Sequence, residues 1–129
     1  MLFLWCPASL LPDGLKVMSA WGFAYSSNWI WEKTGHQHFG GGTATVNHEI
    51  LLVGKRRAGL VIANKKAQQL SVFAAPVSTY STKPCVVHER IECLYPDVSR
   101  IELFSRSLRA EWSMFGNQAF EAVADRKAA

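Results

Sequence analysis

Hydrophobic positions in this chain change their period several times, and each change marks an element. Leu2-Phe3-Leu4-Trp5 is an unbroken apolar run of strand length, expected to be buried. Leu11, Leu15 and Met18 then recur at helical spacing with Asp13 and Lys16 off that face, and Gly22 is placed to stop the helix. From Tyr25 to Lys33 the period becomes two, with Tyr25, Trp29 and Trp31 expected on one side and Ser26, Asn28 and Ile30 on the other. His36 to Thr43, with Gly40-Gly41-Gly42, has the composition of a loop. Ile50 to Val53 is a second continuous apolar run, the pattern of a strand covered on both faces, and Lys55-Arg56-Arg57 ends it in solvent. Leu60 to Ala63 and Val72 to Ala75 are expected to add strands or an irregular excursion around the polar Asn64 to Gln69.

The stretch from Tyr80 to Arg106 is the most organised. Ser81 and Thr82 precede Lys83-Pro84, which predicts a helix N-terminus there. Val87, Ile91 and Leu94 follow at i, i+4 and i+7 and give that helix one apolar face, and Pro96 and Asp97 stop it. Ile101, Leu103 and Phe104 are expected to form a short, largely buried strand that holds one carboxylate, Glu102. Strands alternating with helical segments argue for an α/β sheet with helices on its faces. In such sheets ligands lie at the carboxyl ends of strands, which puts Glu102 to Arg106 and the loop from His36 near a site.

Composition narrows this little. At 129 residues and 49% hydrophobic, the chain suffices for one domain or part of one. Fourteen Lys and Arg against 10 Asp and Glu give a net charge of +4, which suits a nucleic-acid substrate and many ordinary enzymes alike. Cys6, Cys85 and Cys93 have neither an even count nor C-x-x-C spacing, so no disulfide framework or thiolate metal site is expected, and a reduced cytoplasm is the default. The apolar start lacks a basic leader and is broken by Pro7, Pro12 and Asp13, and no apolar run approaches membrane-spanning length. His36, His38 and His48 lack a matching carboxylate or Cys, so no metal is expected there.

Lys83-Pro84, a helix ending Ile91-Glu92-Cys93-Leu94-Tyr95-Pro96, then Arg100-Ile101-Glu102-Leu103-Phe104-Ser105-Arg106, Trp112 and Gly116-Asn117-Gln118 together resemble the C-terminal signature of the MT-A family of adenine N(6)-methyltransferases, named for the seventy-kilodalton subunit of the messenger RNA adenosine methyltransferase. The likeness extends upstream through Leu2 to Trp5, Ala20 to Phe23, Trp31-Glu32-Lys33 and Asn47 to Gly54, ordered and correctly spaced over nearly the whole chain. It implies a permuted Rossmann-like class I fold that uses S-adenosyl-L-methionine, in which the cofactor strand comes late. The family's Asp-Pro-Pro-Trp motif, expected just before Leu2, is not in this sequence. The resemblance therefore implies that residues 1–120 are the C-terminal portion of a methyltransferase domain incomplete at the N-terminus, followed by a frayed tail at 121–129.

Roles follow from the resemblance residue by residue. Glu102 would accept hydrogen bonds from two ribose hydroxyls, with Arg106, Asn117 and Gln118 beside it; a sheet-edge Glu in solvent or paired with Arg106, and a plain Gly-Asn turn, are the bland alternatives. Lys83, with Ser81, would meet the methionine carboxylate from a first helical turn whose dipole disfavours a cation, against a merely solvated Lys. Trp31, Lys33 and Glu49 match positions near the target base, to stack, to meet a phosphate and to hydrogen-bond a base edge, with Trp31 equally suited to the core. No residue is assigned the catalytic role. The implied activity is methylation of adenine N(6) in nucleic acid, DNA before RNA, by a chain that is impaired or depends on a missing half, with a homodimer or a complementing N-terminal fragment as its expected partner. A non-catalytic methyltransferase-like subunit and a small nucleic-acid-binding module remain as the other readings.

Overall fold

The computed structural model describes residues 1–35, 42–57, 59–78 and 82–116, and these divide into two compact units, Met1–Leu94 and the segment from Tyr95 onward. The α/β class expected from the alternating pattern is what the chain adopts.

The first unit is built on a four-stranded sheet. Strand β1 (Leu2–Pro7) leads through a short 3-10 turn, Ala8–Leu10, into helix α1 (Leu11–Ala20). Strands β2 (Ala24–Thr34), β3 (His48–Lys55) and β4 (Val72–Pro76) follow, and helix α2 (Val86–Leu94) closes the unit. The sheet order is β1-β3-β2-β4. β3 is antiparallel to both β1 and β2, and β2 is parallel to β4, so β1, β2 and β4 point one way and β3 alone runs back.

Residues paired across a sheet share a face, and faces alternate along each strand. One face therefore carries Leu2, Leu4, Cys6, Ile30, Ile50 and Leu52, which pack with Met18, Leu11 and Phe23 around α1. The interior glycine of α1 belongs to this packing: a Cβ on Gly14 would lie 2.6 Å from Cys6 Sγ, so the helix seats closely only without one. Gly22 ends α1 with φ of 77°, as its position in the sequence implies. The other face carries Phe3, Trp5, Trp29, Trp31, Glu49, Leu51 and Phe73, and Arg90 of α2 lies over the rings of Phe73, at 4.5 Å, and Trp29, at 5.9 Å.

The Ile50–Val53 run is buried throughout, and Val87, Ile91 and Leu94 are the buried residues of α2, both as their periods predict. Two expectations for this unit are corrected. A β-bulge between Tyr25 and Ser27 shifts the register of β2, so Tyr25 pairs with Gly54 and lies on the face opposite Trp29 and Trp31. Helix α2 starts at Val86, so Lys83 stands three residues ahead of it rather than in its first turn, and the dipole argument for a bound anion falls. Of the two alternatives open for the later apolar pieces, Leu60 to Ala63 takes the irregular one and Val72 to Ala75 the strand, as β4.

The second unit holds a two-stranded parallel sheet, β5 (Arg100–Leu103) with β6 (Trp112–Phe115). The strand at Ile101 is present but not buried: Ile101 is 62% exposed, and Leu103, Phe104 and Phe115 also stand in solvent. Ile101, Leu103 and Phe115 share one face, and Arg100, Glu102 and Met114 the other. Arg100 is buried and donates from Nη2 to the carbonyls of Tyr95, at 2.6 Å, and Pro96, at 2.8 Å, tying the turn before β5 to the strand.

Candidate functional site

The directions of the strands gather chemistry at one end of the four-stranded sheet. Trp5 near the end of β1, Trp31 and Lys33 near the end of β2, and Glu49 at the start of β3 all fall at the same pole, where three strands present their carboxyl ends. That is where an α/β sheet leaves its crevice.

Glu49 is the centre of the arrangement. It pairs with Pro7 on β1 and Trp31 on β2, is buried, and one oxygen lies 2.6 Å from Lys33 Nζ while the other accepts from Lys83 Nζ. Burial on its own pushes a carboxyl upward, but the hydrogen bonds and charges of Lys33 and Lys83 outweigh it and hold the Glu49 carboxyl below its ordinary value. Two cations facing one anion leave the cluster with a net positive charge, and both ammonium groups are partly exposed.

Two indoles form the floor. Lys33 Nζ lies 5.3 Å from the Trp31 ring, and Lys83 Nζ lies 5.5 Å from Trp5 and 5.9 Å from Trp31. The two rings meet edge to face at 5.9 Å, the favoured geometry for such a pair. Trp31 is 1% exposed and donates from Nε1 to the Ala75 carbonyl at 2.9 Å, which clips β4 to β2. Of the two roles its sequence allowed, it takes the core one here: its ring supports the cations from beneath and offers no open face to stack on.

In the second unit, Glu102 closes the parallel strand β5 and accepts a hydrogen bond from Ser105 Oγ at 3.2 Å. The turn that follows is tight: Phe104 adopts φ of 60°, its amide donates to the Phe115 carbonyl at 2.6 Å, and Ser105 Oγ donates to the Ser107 carbonyl at 2.9 Å. A Cβ on Gly116 would lie 3.0 Å from Phe104 Cα, so this glycine allows the ends of β5 and β6 to close on each other. What the structure places against Gly116 is the chain's own backbone. Arg106 is exposed.

Thus Trp31, Lys33, Glu49 and Lys83 are brought together, Glu102 and Arg106 share the second unit, and Ser81, Asn117 and Gln118 lie outside the described residues, as do His36 and His38. Two partners were not foreseen. Trp5 had a signal, since it shares the parity of Phe3 in an apolar run. The bond from Lys83 to Glu49 spans 34 residues and leaves no trace in local periodicity. Among the described residues, no three His, Cys, Asp or Glu side chains are grouped to hold a metal, and no helix is long and apolar enough to cross a membrane.

Residues 1–118 match the family model MT-A70. The chain is 30% identical over 125 residues to the N(6)-adenosine-methyltransferase subunit METTL3 of Danio rerio, covering 91% of this chain and 21% of that protein. The N(6)-adenosine-methyltransferase catalytic subunit METTL3 of Homo sapiens gives the same identity and coverage. The type II methyltransferase M.MunI of a Mycoplasma species is 26% identical over 118 residues, covering 89% of this chain and 48% of that enzyme. The chain thus spans about a fifth of the length of the METTL3 proteins and about half that of the bacterial enzyme.

Proposed function

The chain belongs to the MT-A70 family, and on that footing we propose that it is the C-terminal portion of an S-adenosylmethionine-dependent methyltransferase acting on the N(6) amino group of adenine in nucleic acid, DNA before RNA. The observation that carries this reading is the Lys33–Glu49–Lys83 cluster at the carboxyl ends of β1 and β2. An exocyclic amine offers hydrogens, and an ionised carboxylate is an acceptor only. Glu49, held ionised by two ammonium groups, suits that edge of the base at any pH near neutrality. Lys33 keeps donors for a phosphate or a ring nitrogen.

The cofactor would supply a methyl group made electrophilic by its sulfonium. The donor set of this chain fits it: Glu102, an acceptor-only carboxylate at the end of a parallel strand, matches a pair of ribose hydroxyls, with Arg106 four residues on and Asn117 and Gln118 following Gly116 in sequence. Lys83, whose ammonium has hydrogens beyond the one given to Glu49, would meet the methionine carboxylate with Ser81. The mixed sheet, with three strands running one way and one reversed, and the late parallel strand bearing Glu102 support a permuted Rossmann-like class I fold.

The sequence contains no Asp-Pro-Pro-Trp, so no residue here is given the catalytic role, and we assign activity to this chain in company with a complementing N-terminal fragment or a second copy. The net positive charge of the Lys33–Glu49–Lys83 cluster also suits binding without transfer, and it favours one other reading, a non-catalytic subunit that binds nucleic acid or a partner. Calorimetric titration with S-adenosylhomocysteine, followed by transfer of labelled methyl to DNA and RNA oligonucleotides with and without a fragment carrying the motif, separates them. Heat that Glu102→Ala abolishes, and transfer to DNA only when the fragment is present, are expected. Heat without transfer in any mixture leaves the non-catalytic subunit; no heat at millimolar ligand in any mixture overturns cofactor binding.

A further inference from the structure

The pole opposite Glu49, where β3 ends and β2 begins, carries the run Lys55-Arg56-Arg57. Lys55 pairs with Ala24 and Gly54 with Tyr25, so the run emerges beside the first residues of β2 and the last turn of α1. Arg56 is committed to the fold. It donates to the carbonyl of Trp21 at 2.6 Å and of Gly22 at 3.4 Å, and its guanidinium lies 4.5 Å from the Phe23 ring, where a cation also answers the negative end of the α1 dipole.

Lys55 and Arg57 are different. Both are exposed, and among the described residues neither lies within ion-pair distance of a carboxylate. Two rings project at the same pole: Trp21 is 42% exposed and Tyr25 49% exposed, the latter with its hydroxyl accepting from Asn28 Nδ2 at 2.7 Å. The described carboxylates of this unit are elsewhere. Asp13 is in the first turn of α1 and paired with Lys16, Glu32 and Glu49 are at the far ends of their strands, and Glu89 and Glu92 are on α2. The pole is therefore of one sign, with apolar ring surface between the charges.

From this juxtaposition we infer a second nucleic-acid contact, in which phosphates of a single-stranded segment meet Lys55 and Arg57 while a base stacks on Trp21 or Tyr25. Cations interleaved with exposed aromatic rings bind single strands with little regard to sequence. The inference rests on the nucleic-acid reading above and adds a surface that reading does not use. Tyr25 to Lys33 along β2 spans about 26 Å at roughly 3.3 Å per residue, so a strand of about 20 nucleotides, at about 3.4 Å each, reaches both poles.

Anisotropy of a labelled single-stranded DNA of that length, titrated with the full chain at several salt concentrations, tests it. Lys55→Gln/Arg57→Gln should weaken binding about 5-fold or more and flatten the log–log salt slope by about 1.4, roughly 0.7 for each phosphate no longer neutralised. Trp21→Ala and Tyr25→Ala together should weaken binding about 5-fold or more with the slope unchanged, since stacking releases no counterions. Circular dichroism melts matching the wild type are expected for both variants. Binding by the wild type with affinity and slope unchanged in the charge variant overturns this inference alone. No binding by the wild type overturns it together with the nucleic-acid reading, and binding to phosphatidylserine vesicles in place of the strand assigns the pole to lipid and overturns it as well.

Discussion

In the first unit β3 has a partner on each side and six of its eight residues are buried, whereas in the second β5 has, among the described residues, a single partner, and Ile101, Leu103 and Phe115 on one face are exposed. Both sheets have apolar strands, so composition does not separate them. What differs is cover. The four-stranded sheet has α1 packed on one face and α2 reaching over the other, and its hydrophobic side chains interlock in layers. A parallel pair of strands has no such cover of its own, and parallel sheets are ordinarily buried on both faces. The first unit therefore holds its site by packing, the second by local hydrogen bonds around Arg100, Phe104 and Ser105.

The sharpest way to break that contrast is to remove matched side chains from the two sheets. Leu52→Ala, at a fully buried position of β3, should cost about 2–5 kcal/mol in urea unfolding. Ile101→Ala on the open face should stay within about 0.5 kcal/mol. Equal losses would mean that the two sheets melt as one body with a shared core.

Next in size is the charge cluster. Glu49→Gln removes the anion that two ammonium groups share and should cost about 1.5–3 kcal/mol by the same measurement. The pH dependence has a definite sign. A carboxyl held below its ordinary value of 4.5 stabilises the fold fully above that pH, and the stabilisation is lost as pH falls through the depressed native value. Wild type and Glu49→Gln should therefore converge in stability on acidification below pH 4.5, and a constant gap between them would exclude the cluster as its source.

The smallest effect concerns the strained turn of the second unit. Phe104 occupies the left-handed region although it is not glycine and is 77% exposed, so little packing opposes its replacement. Phe104→Gly should raise stability by about 0.5 kcal/mol, the relief of strain exceeding the added chain entropy of glycine. A decrease instead would show that the ring makes an interaction the rest of the unit depends on.

Much of the first unit was legible because its signals are local. Leu11, Leu15 and Met18, the Ile50 to Val53 run, and Val87, Ile91 and Leu94 each declare an element by their own spacing. The bulge in β2 was not legible, since an alternating sequence is consistent with an unbroken strand and only the partner β3 reveals the extra residue. Strand β6 escaped for another reason: Trp112, Ser113, Met114 and Phe115 make a four-residue pattern too short to mark a period. The exposure of Ile101 was misjudged because apolar character reports a preference for burial, and the cover has to come from elsewhere. Of the site, Lys33 and Glu49 were found one by one from the family likeness, but their convergence with Lys83 depends on chain reversal between distant segments, which no window of sequence contains.

The placement of β3 between β1 and β2 also dictates an order of assembly. Although β1 and β2 are successive in the chain, neither is the other's neighbour: β1 pairs with residues 48–55, and β2 with residues 48–55 and then 72–76. A segment made only as far as Thr34 can wind α1 but can close none of the described ladders, and the loop-closure entropy for both pairings of β3 falls due together when β3 arrives. The arrival of one segment thus switches an open chain into a sheet, and a ribosome stalled before that point would hold out two sticky, single strands.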